Sequence, residues 1–170
     1  MRHYTYEWIQ AGWEPWTVRD EAEAYFRSIS HRLSASVHEF RQAVNLHDAR
    51  LQRLSFAAGS DSVSLEINEL YWNDTLHHGC RRPLILTYTG QTSVELSGGP
   101  ADRNNRYPLQ DDDVLLDEWD AEGSHLEHRM LFASGAELHV KFLHFTFHHP
   151  ASGSIPAGDG DTSSPASDTA

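Results

Sequence analysis

A histidine and an aspartate stand side by side at His47 and Asp48, where a helical pattern ends and an alternating pattern begins. Side chains of these two types could bind a metal ion together or act as an acid–base couple. They also suit a structural role, because a protonated imidazole is favoured at the C-terminal end of a helix and aspartate is common in turns. Asn45 suits the left-handed position that ends a helix. We favour the structural interpretation and keep metal binding or catalysis as the alternative.

Two other histidine-containing motifs begin like zinc sites. The sequence contains 12 histidines, and HHGC at 77–80 supplies two histidines and a cysteine, one half of a zinc site. No C-x-x-C or H-x-x-x-H segment with a fitting frame supplies the other half. HEFRQ at 38–42 begins like the helix of a zinc protease, but Gln42 stands where that motif needs its second histidine. Neither motif is complete within the sequence.

One histidine pair passes the spacing test. In the hairpin register given below, His128 and His144 are diagonal neighbours on one face of adjacent strands, roughly 7–8 Å apart. A carboxylate such as Glu118 or Asp48 could complete a site for a transition metal such as zinc, and His47 stands beside Asp48. The simpler interpretation is that both are partly buried histidines held by hydrogen bonds, in which case no cofactor is needed.

Acidic and aromatic residues form a second group of candidates. Seven acidic residues lie within the thirteen positions of QDDDVLLDEWDAE, without the glycine and alternating ligands of an EF-hand loop, so we predict an acidic rim and an exposed strand. Three tryptophans early in the chain either cover one end of the core or form a partner-binding hot spot. The candidate binding residues are Trp8, Trp13, Trp16, Asp111, Asp112, Asp113, Glu118 and Trp119.

Motifs of nucleophilic and nucleotide-binding enzymes do not occur in the sequence. There is no G-x-S-x-G nucleophile turn, no phosphate-binding loop ending in G-K-[ST], and no G-x-G-x-x-G fingerprint. The sequence therefore identifies no catalytic residue and favours a protein that is not an enzyme.

The charge of the chain favours a basic partner. Among 170 residues, 25 acidic residues oppose 13 basic ones, which gives a formal net charge of −12. Such a surface repels the phosphates of nucleic acids and attracts basic proteins. We expect a protein partner and no nucleic acid.

Cysteine content and hydrophobicity indicate a cytoplasmic protein. Cys80 is the only cysteine, so no internal disulfide can form, as in proteins of reducing compartments. The first residues lack the apolar run of a secretion signal. No segment approaches the ~20 apolar residues that cross a bilayer, so we expect no membrane partner.

The elements that must position these residues begin with a helical layer. From Thr17 onward, apolar residues recur at steps of three and four, which predicts an amphipathic helix. Ser34 and Ser36 could divide it into two shorter helices. The apolar stripe consists of Tyr25, Phe26, Ile29, Leu33, Val37, Phe40 and Val44.

The following segments alternate in the manner of strands. DSVSLEIN alternates apolar and polar residues, and Gly59-Ser60-Asp61 supplies the turn from the strand before it. The leucines of LQRLSFAA are out of phase, which predicts a bulge near Gln52–Arg53. LILTYTGQTSVEL predicts strand structure interrupted at Gly90, and VLLDEW predicts another strand after a loop from Ser97 to about Asp113.

HLEHRMLFASGAELHVKF predicts a hairpin with its turn centred on Gly135. This register keeps the apolar side chains of both strands on one face, whereas a two-residue turn would mix the faces. The change of phase from Phe142 to Leu143 predicts a second bulge or a strand end buried on both faces. The predicted pairs are Phe132 with Leu138, Met130 with Val140 and His128 with Phe142.

The order of elements predicts an α+β fold of two layers. A helix or helix pair at the N-terminal side packs on a mainly antiparallel sheet of about five to six strands. The predicted domain spans residues 1–149. Residues 150–170 are rich in Ser, Gly, Pro and Asp and are expected to form a disordered tail.

LHDARL, LLDEW and HRMLFASGAELHVKF together resemble a loose group of uncharacterised small bacterial proteins. In that group a helix runs into an L-H-D-[AS] turn and an antiparallel meander with a late G-x-E-L-x-[IV]-x-F strand. The resemblance covers about residues 40–147, while the histidine-rich end is peculiar to this chain. Some proteins of this kind are immunity proteins that neutralise toxins, so the resemblance implies a binding role and transfers no catalytic residue.

Two hypotheses of different classes follow. The first is an acidic cytoplasmic protein-binding protein, of the kind that neutralises a basic toxin. The second is a metal-dependent enzyme with a histidine and carboxylate site.

Overall fold

The computed structural model describes residues 2–57, 59, 61–98 and 112–150. Asp111 and the predicted tail after Pro150 lie outside the described residues, as does most of the predicted loop at 97–113. Three helices precede eight strands. The helices are α1 (Tyr6–Gln10), α2 (Thr17–Ile29) and α3 (Ala35–Ala43). The strands are β1 (Arg50–Phe56), β2 (Ser62–Asn73), β3 (His78–Thr89), β4 (Ser93–Gly98), β5 (Val114–Glu122), β6 (His125–Phe132), β7 (Ala136–Phe142) and β8 (His144–His148).

The helical pattern that begins at Thr17 is divided where the serines predicted a break. A short 3₁₀ turn, Ser30–Arg32, follows α2, and α3 begins after Ser34. The hydroxyl of Ser34 accepts a hydrogen bond from the backbone N–H of Val37 at 3.4 Å, as an N-cap does. The prediction of two shorter helices is therefore confirmed.

The strands form two four-stranded antiparallel sheets. The first sheet has the order β1-β2-β3-β8, and the second has the order β4-β7-β6-β5. The α+β class with helices packed on antiparallel strands is confirmed. The difference from the expected single sheet of five or six strands is that the chain crosses between two sheets twice.

Both crossings occur at one corner of the molecule. After β3 the chain turns at Gly90 into β4, and after β7 it turns at Leu143 into β8. The backbone N–H of Leu143 lies 3.0 Å from both Thr89 O and Gly90 O. Gly90 has a φ of +81°, and a β-carbon there would lie 2.9 Å from the β-carbon of Leu143. The phase change predicted at Leu143 is thus a change of sheet rather than a bulge.

The β6–β7 hairpin has a shorter turn than predicted. Met130 pairs with Leu138 and His128 with Val140, so each partner differs by two residues from the predicted register. The loop contains three residues and ends with Gly135 at φ +82°, the usual geometry of a three-residue hairpin loop. A shift of two residues keeps every side chain on its predicted face.

The turn after α3 differs from the prediction at one residue. Asp48, rather than Asn45, has the left-handed backbone, with a φ of 62°. The side chain of Asn45 instead accepts a hydrogen bond from the N–H of His47 at 3.0 Å. The backbone of Asp48 is held on both sides, because its N–H donates to Val114 O and its carbonyl accepts from Arg81, each at 2.8 Å. This turn leads the chain into β1, which carries the predicted irregularity between Leu51 and Arg53.

The two sheets and the helices enclose one core. The helices lie along one side, where α2 contacts β5 and α3 contacts β8, the edge strands of the two sheets. Residues of both sheets and both helices belong to the same buried cluster, which includes Ile29, Val37, Phe40, Leu65, Leu86, Tyr88, Trp119, Met130, Leu138, Val140 and Phe142. Within the described residues, no helix is long and apolar enough to span a membrane.

Candidate functional site

A chain of hydrogen bonds crosses the core between the two sheets. The hydroxyl of Tyr88 on β3 lies 2.7 Å from His128 Nδ1 on β6. His128 Nε2 lies 3.1 Å from Asp117 Oδ2 on β5, and the indole N–H of Trp119 donates to the same oxygen at 3.0 Å. Trp119 also stacks on the His128 ring, with 3.8 Å between ring centroids. A tyrosine, a histidine and an aspartate in this order form the connectivity of a proton relay.

Burial and hydrogen bonding shift the pKa values of the three residues in this hydrogen-bonded relay. It raises the pKa of Tyr88 far above its ordinary value and lowers the pKa of His128, although Asp117 acts on His128 in the opposite direction. For Asp117, burial alone would raise the pKa, but the hydrogen bond and charge of His128 outweigh it and lower the pKa. These directions describe a neutral tyrosine and an ionised carboxylate. Every polar atom of the His128 ring is used within the core.

The residues of this relay are not accessible to a substrate. Tyr88 and His128 are fully buried, and only Asp117, about a quarter exposed, approaches the surface. The cavity beside Asp117 has a volume of about 40 Å³ and lies between β5, α2 and the segment before α1. One water molecule occupies about 10–15 Å³ on this measure, so the cavity has room for a few waters and none for an organic substrate.

Glu118, on the other face of β5, fastens the segment that precedes α1. Its carboxylate accepts hydrogen bonds from the backbone N–H groups of Arg2, His3 and Tyr4 at 2.7, 2.8 and 2.6 Å. Next to it, Asp120 accepts a hydrogen bond from Tyr25 and pairs with Arg2 at 3.0 Å. Burial, together with that hydrogen bond and the charge of Asp120, raises the pKa of Tyr25 to about 12. These carboxylates bind the protein's own backbone and side chains.

A third buried carboxylate lies on the outer face of β6. Glu127 is 2% exposed and contacts Arg129, His139 at 2.9 Å and Lys141 at 2.9 Å. Burial alone would raise the pKa of Glu127, but the hydrogen bonds from Lys141 and Arg129 and the charge of His139 lower it to about 2. This carboxylate therefore remains ionised at every ordinary pH.

Among the described residues, the histidines of the predicted metal site do not lie together. His128 lies in the core of the second sheet, whereas His144 is exposed on β8, opposite Thr89 in the first sheet. The prediction of neighbouring strands is wrong because the chain changes sheet at Leu143. His47 and Asp48 do contact each other, at 3.0 Å on the surface. In the part of the chain that the structure describes, no three histidine, cysteine, aspartate or glutamate side chains lie close enough to hold one metal ion.

The acidic segment around β5 is inside the protein rather than on an exposed strand. Glu118, Trp119 and Asp120 are all buried, because the segment before α1 and helix α2 cover Glu118 and Asp120 while Trp119 packs into the core. The expectation of an exposed strand is wrong for these residues. Asp113 pairs with Arg50 at 2.8 Å.

The three early tryptophans divide into two anchors and one exposed side chain. Trp8 is buried, with its indole N–H donating to Pro15 O at 3.1 Å, and Trp13 packs edge-on against it at 5.2 Å. Tyr4 stacks on the other side of Trp8 at 5.5 Å. Trp16, at the start of α2, is 60% exposed. The alternatives of core cover and surface hot spot therefore apply to different residues of the same segment.

Three acidic residues lie within five positions of Trp16 in the sequence. Glu14, Asp20 and Glu21 are exposed, and among the described residues none of them forms an ion pair. We call Glu14, Trp16, Asp20 and Glu21 the Trp16 surface. Asp20 follows Trp16 by four residues at the start of a helix, so the two share a face. This surface combines three exposed carboxylates with an exposed tryptophan, and the exposed Arg19 lies among them.

Two features were not found from the sequence. The Tyr88–Asp117 relay was missed because it joins residues of different sheets, although the alternation of Leu84, Leu86 and Tyr88 already indicates that Tyr88 faces the core. The β2–β3 hairpin was not recognised as a surface feature, and its exposed Trp72 and Leu76 were not singled out. Large apolar side chains next to the turn of NDTLHH would have been the signal.

Fold and surface together define a two-sheet α+β protein with a hydrogen-bonded Tyr88–His128–Asp117 group in its interior and an exposed tryptophan near acidic residues. No protein-family model and no curated protein matches the sequence. Among solved structures, an uncharacterized protein from Neisseria gonorrhoeae is partly similar, with a TM-score of 0.43 and 11% sequence identity. The match covers 61% of this chain and 93% of that one. A likeness of this extent carries no argument about function.

Proposed function

We propose that this protein is a cytoplasmic binding protein that captures a basic protein through the Trp16 surface, in the manner of an immunity protein that neutralises a toxin. The observation that carries the proposal is the exposure of Trp16 beside Glu14, Asp20 and Glu21. Tryptophan is the side chain most enriched among the residues that dominate binding energies. Carboxylates without internal partners favour a basic protein over a neutral one.

The local packing supports a binding role for Trp16. Trp8, Trp13 and Pro15 fix the turn before it, and the hydrogen bonds from Arg2–Tyr4 to Glu118 fasten that whole segment to β5. An exposed aromatic side chain on a fixed turn loses little conformational freedom when a partner binds it. A tryptophan on a loosely held loop would lose more of its binding energy to ordering.

The net charge of this chain favours a partner with a positive net charge. The net charge of −12 accelerates encounter with a basic protein and repels an acidic one. The resemblance of about residues 40–147 to small bacterial proteins, some of them immunity proteins, points to the same class of partner. Toxins and their immunity proteins act as pairs, so the protein encoded next to this chain's gene is the first partner to test.

Calorimetric titration with that purified neighbouring gene product tests the proposal. We expect binding that weakens as salt rises from about 0.05 to 0.5 M, because exposed charges are screened over shorter distances. Trp16→Ala is expected to weaken binding by about 30-fold, the loss of about 2 kcal/mol typical of a hot-spot residue. Phe56→Ala is the matched control, since Phe56 is equally exposed at 62% but lies on β1.

Two results would count against the proposal. One is binding by the wild-type chain that Trp16→Ala and Phe56→Ala leave equally strong. The other is binding that high salt does not affect.

A further inference from the structure

The β2–β3 hairpin extends beyond both of its neighbouring strands. Pairing with β1 ends at Asn68, and pairing with β8 ends at Ile85. Residues 69–82 therefore pair only with each other, within the part of the chain that the structure describes. We call residues 69–82 the β2–β3 arm. Its outer strand edges have backbone groups available for a further strand.

Two metal-binding side chains lie on one face of this arm. Cys80 and His78 are two residues apart on β3, so they share a face, and Cys80 Sγ lies 3.5 Å from His78 Nδ1. Two ligands of a tetrahedral zinc ion stand about 3.6 Å apart, as the usual Zn–S and Zn–N bond lengths require. The two atoms already have the separation of neighbouring zinc ligands.

We propose that Cys80 and His78 form one half of a zinc site that a second copy of this chain completes. One chain supplies two ligands, and the described residues provide no third within reach. Structural zinc sites use four ligands, so the site is incomplete without the second copy. This inference is independent of the proposed function, because the β2–β3 arm contains none of the Trp16 surface.

The free edge of β3 has the symmetry that such a site needs. Gly79 lies between the two ligands, and antiparallel pairing of two arms about Gly79 places Cys80 of each chain opposite His78 of the other. All four side chains then point to one face. Their α-carbons form a rectangle that measures about 5 Å between the two strands and about 7 Å along each strand. His78 Nδ1 now contacts Gly79 O at 2.9 Å, and zinc binding would release that carbonyl for pairing between the chains.

The opposite face of the arm supplies apolar contact for the same pairing. Trp72 pairs directly with Gly79 and is 63% exposed, and Leu76 in the turn is 56% exposed. On this face Leu70 covers Gly79, because a β-carbon at Gly79 would lie 3.2 Å from Leu70 Cδ1, so the indole of Trp72 would pack against Leu70 of the second copy. The pairing would therefore bury two exposed tryptophans while it assembles the zinc ligands.

The charge of the arm permits two copies to approach. Its acidic residues, Glu69 and Asp74, are balanced by Arg81 and Arg82, so the arm is neutral although the whole chain carries −12. On binding, each Cys80 thiol loses its proton to solvent, and two thiolates neutralise the two positive charges of Zn²⁺. In this reaction one zinc ion and two thiols form one zinc dithiolate and release two protons, and no oxidant is needed.

The test uses the full chain, without a histidine tag, after chelation and with a reductant that prevents a Cys80–Cys80 disulfide. Addition of half an equivalent of zinc is expected to convert the 19.2 kDa chain to a species of twice that mass in size-exclusion chromatography with light scattering. Elemental analysis should give one zinc ion per two chains. Cobalt in place of zinc should give the absorption bands of a tetrahedral site with thiolate ligands.

Variants of the ligands and of Trp72 separate this site from other zinc binding. Cys80→Ser and His78→Ala should remain monomeric with zinc, and Trp72→Ala should require at least tenfold more protein to dimerise. His77→Asn is the matched control, because His77 is an exposed neighbour with a left-handed backbone, φ 52°, which asparagine tolerates. Zinc bound one to one by a monomer, no zinc binding, or dimerisation unaffected by Cys80→Ser would each overturn the proposal. Trp16→Ala should leave the zinc-dependent mass unchanged.

Discussion

At the level of single residues, the buried ionisable groups of this protein are held by the protein itself. Glu118 accepts three backbone N–H groups, Glu127 is surrounded by cationic side chains, and His128 uses both ring nitrogens in the core. A buried polar group without a partner costs about 1–3 kcal/mol, so each of these contacts has a structural value without any substrate. Glu118 and His128, which the sequence offered as candidate ligands, thus have structural partners within the protein.

The pH dependence of the free energy of unfolding tests whether the contacts of Glu127 stabilise the fold. Its pKa of about 2 lies below the ordinary value of 4.5, so the unfolded chain binds a proton between these values that the folded chain does not. The stabilisation is complete above about pH 5 and is lost as the pH falls towards 2, a change of about 3 kcal/mol in the free energy of unfolding. Urea unfolding between pH 6 and 2.5 measures it.

Glu127→Gln is the variant for comparison. It should be less stable than the wild-type chain at pH 6 and should lose less stability on acidification, since it has no carboxylate to protonate. Equal slopes of stability against pH in both proteins would show that Glu127 is not responsible.

Residue types alone could not separate anchors from binding residues. Trp8, Trp13 and Trp16 look equivalent in the sequence, and only the fold around Pro15 shows that Trp8 is buried and Trp16 exposed. The structural interpretation of His47 and Asp48 fits their exposed contact at 3.0 Å and the hydrogen bonds to the Asp48 backbone. Asp48 takes the left-handed position expected at Asn45 because the chain turns into β1 there.

At the level of elements, one corner decides how the two sheets are joined. β3 runs into β4 and β7 runs into β8 through Gly90 and Leu143, which contact each other. Since β3 also pairs with β8 and β4 with β7, the corner bends one two-stranded ribbon from the first sheet into the second. Any side chain at Gly90 would therefore push against the other strand of the same ribbon.

A comparison of Gly90→Ala with Gly59→Ala tests how tightly Gly90 packs against Leu143 at this corner. Alanine at Gly90 meets both an unfavourable positive φ and a contact of 2.9 Å with Leu143, whereas alanine at Gly59 meets a similar φ of +74° and open space. We expect a loss of about 1 kcal/mol for Gly59→Ala and about 2–4 kcal/mol for Gly90→Ala. Chemical denaturation of the two variants measures the difference. Equal losses would mean that the contact with Leu143 is not tight.

Local sequence patterns predicted well where helices and strands begin and end, and predicted poorly which strands pair with each other. The division of the helix near Ser34, the irregularity near Gln52 and the interruption at Gly90 follow from capping, phase and backbone freedom, which act within a few residues. The change of sheet at Leu143 could not be recognised locally, because the change of phase in FLHFTF fits a bulge or a strand end equally well. Which sheet β8 joins depends on pairing with β3, more than fifty residues away.

At the level of the whole molecule, polar chemistry and binding capacity occupy different places. Tyr88 and His128 of the relay are fully buried between the sheets, only Asp117 approaches the surface, and the carboxylates of Glu118 and Glu127 are held by other groups of the protein. The Trp16 surface on α2 and the β2–β3 arm are exposed and belong to elements far apart in the chain. We therefore expect binding events to change the surface and leave the relay unchanged.

The five tryptophan indoles allow this division to be measured in one experiment. With ¹⁵N-labelled tryptophan, each indole N–H gives one NMR signal, and single Trp→Phe variants assign the signals. We predict that a basic protein that binds this chain shifts or broadens the Trp16 signal and leaves the Trp119 signal, whose N–H donates to Asp117, unchanged. A titration in which the Trp119 signal moves and the Trp16 signal does not would contradict the account.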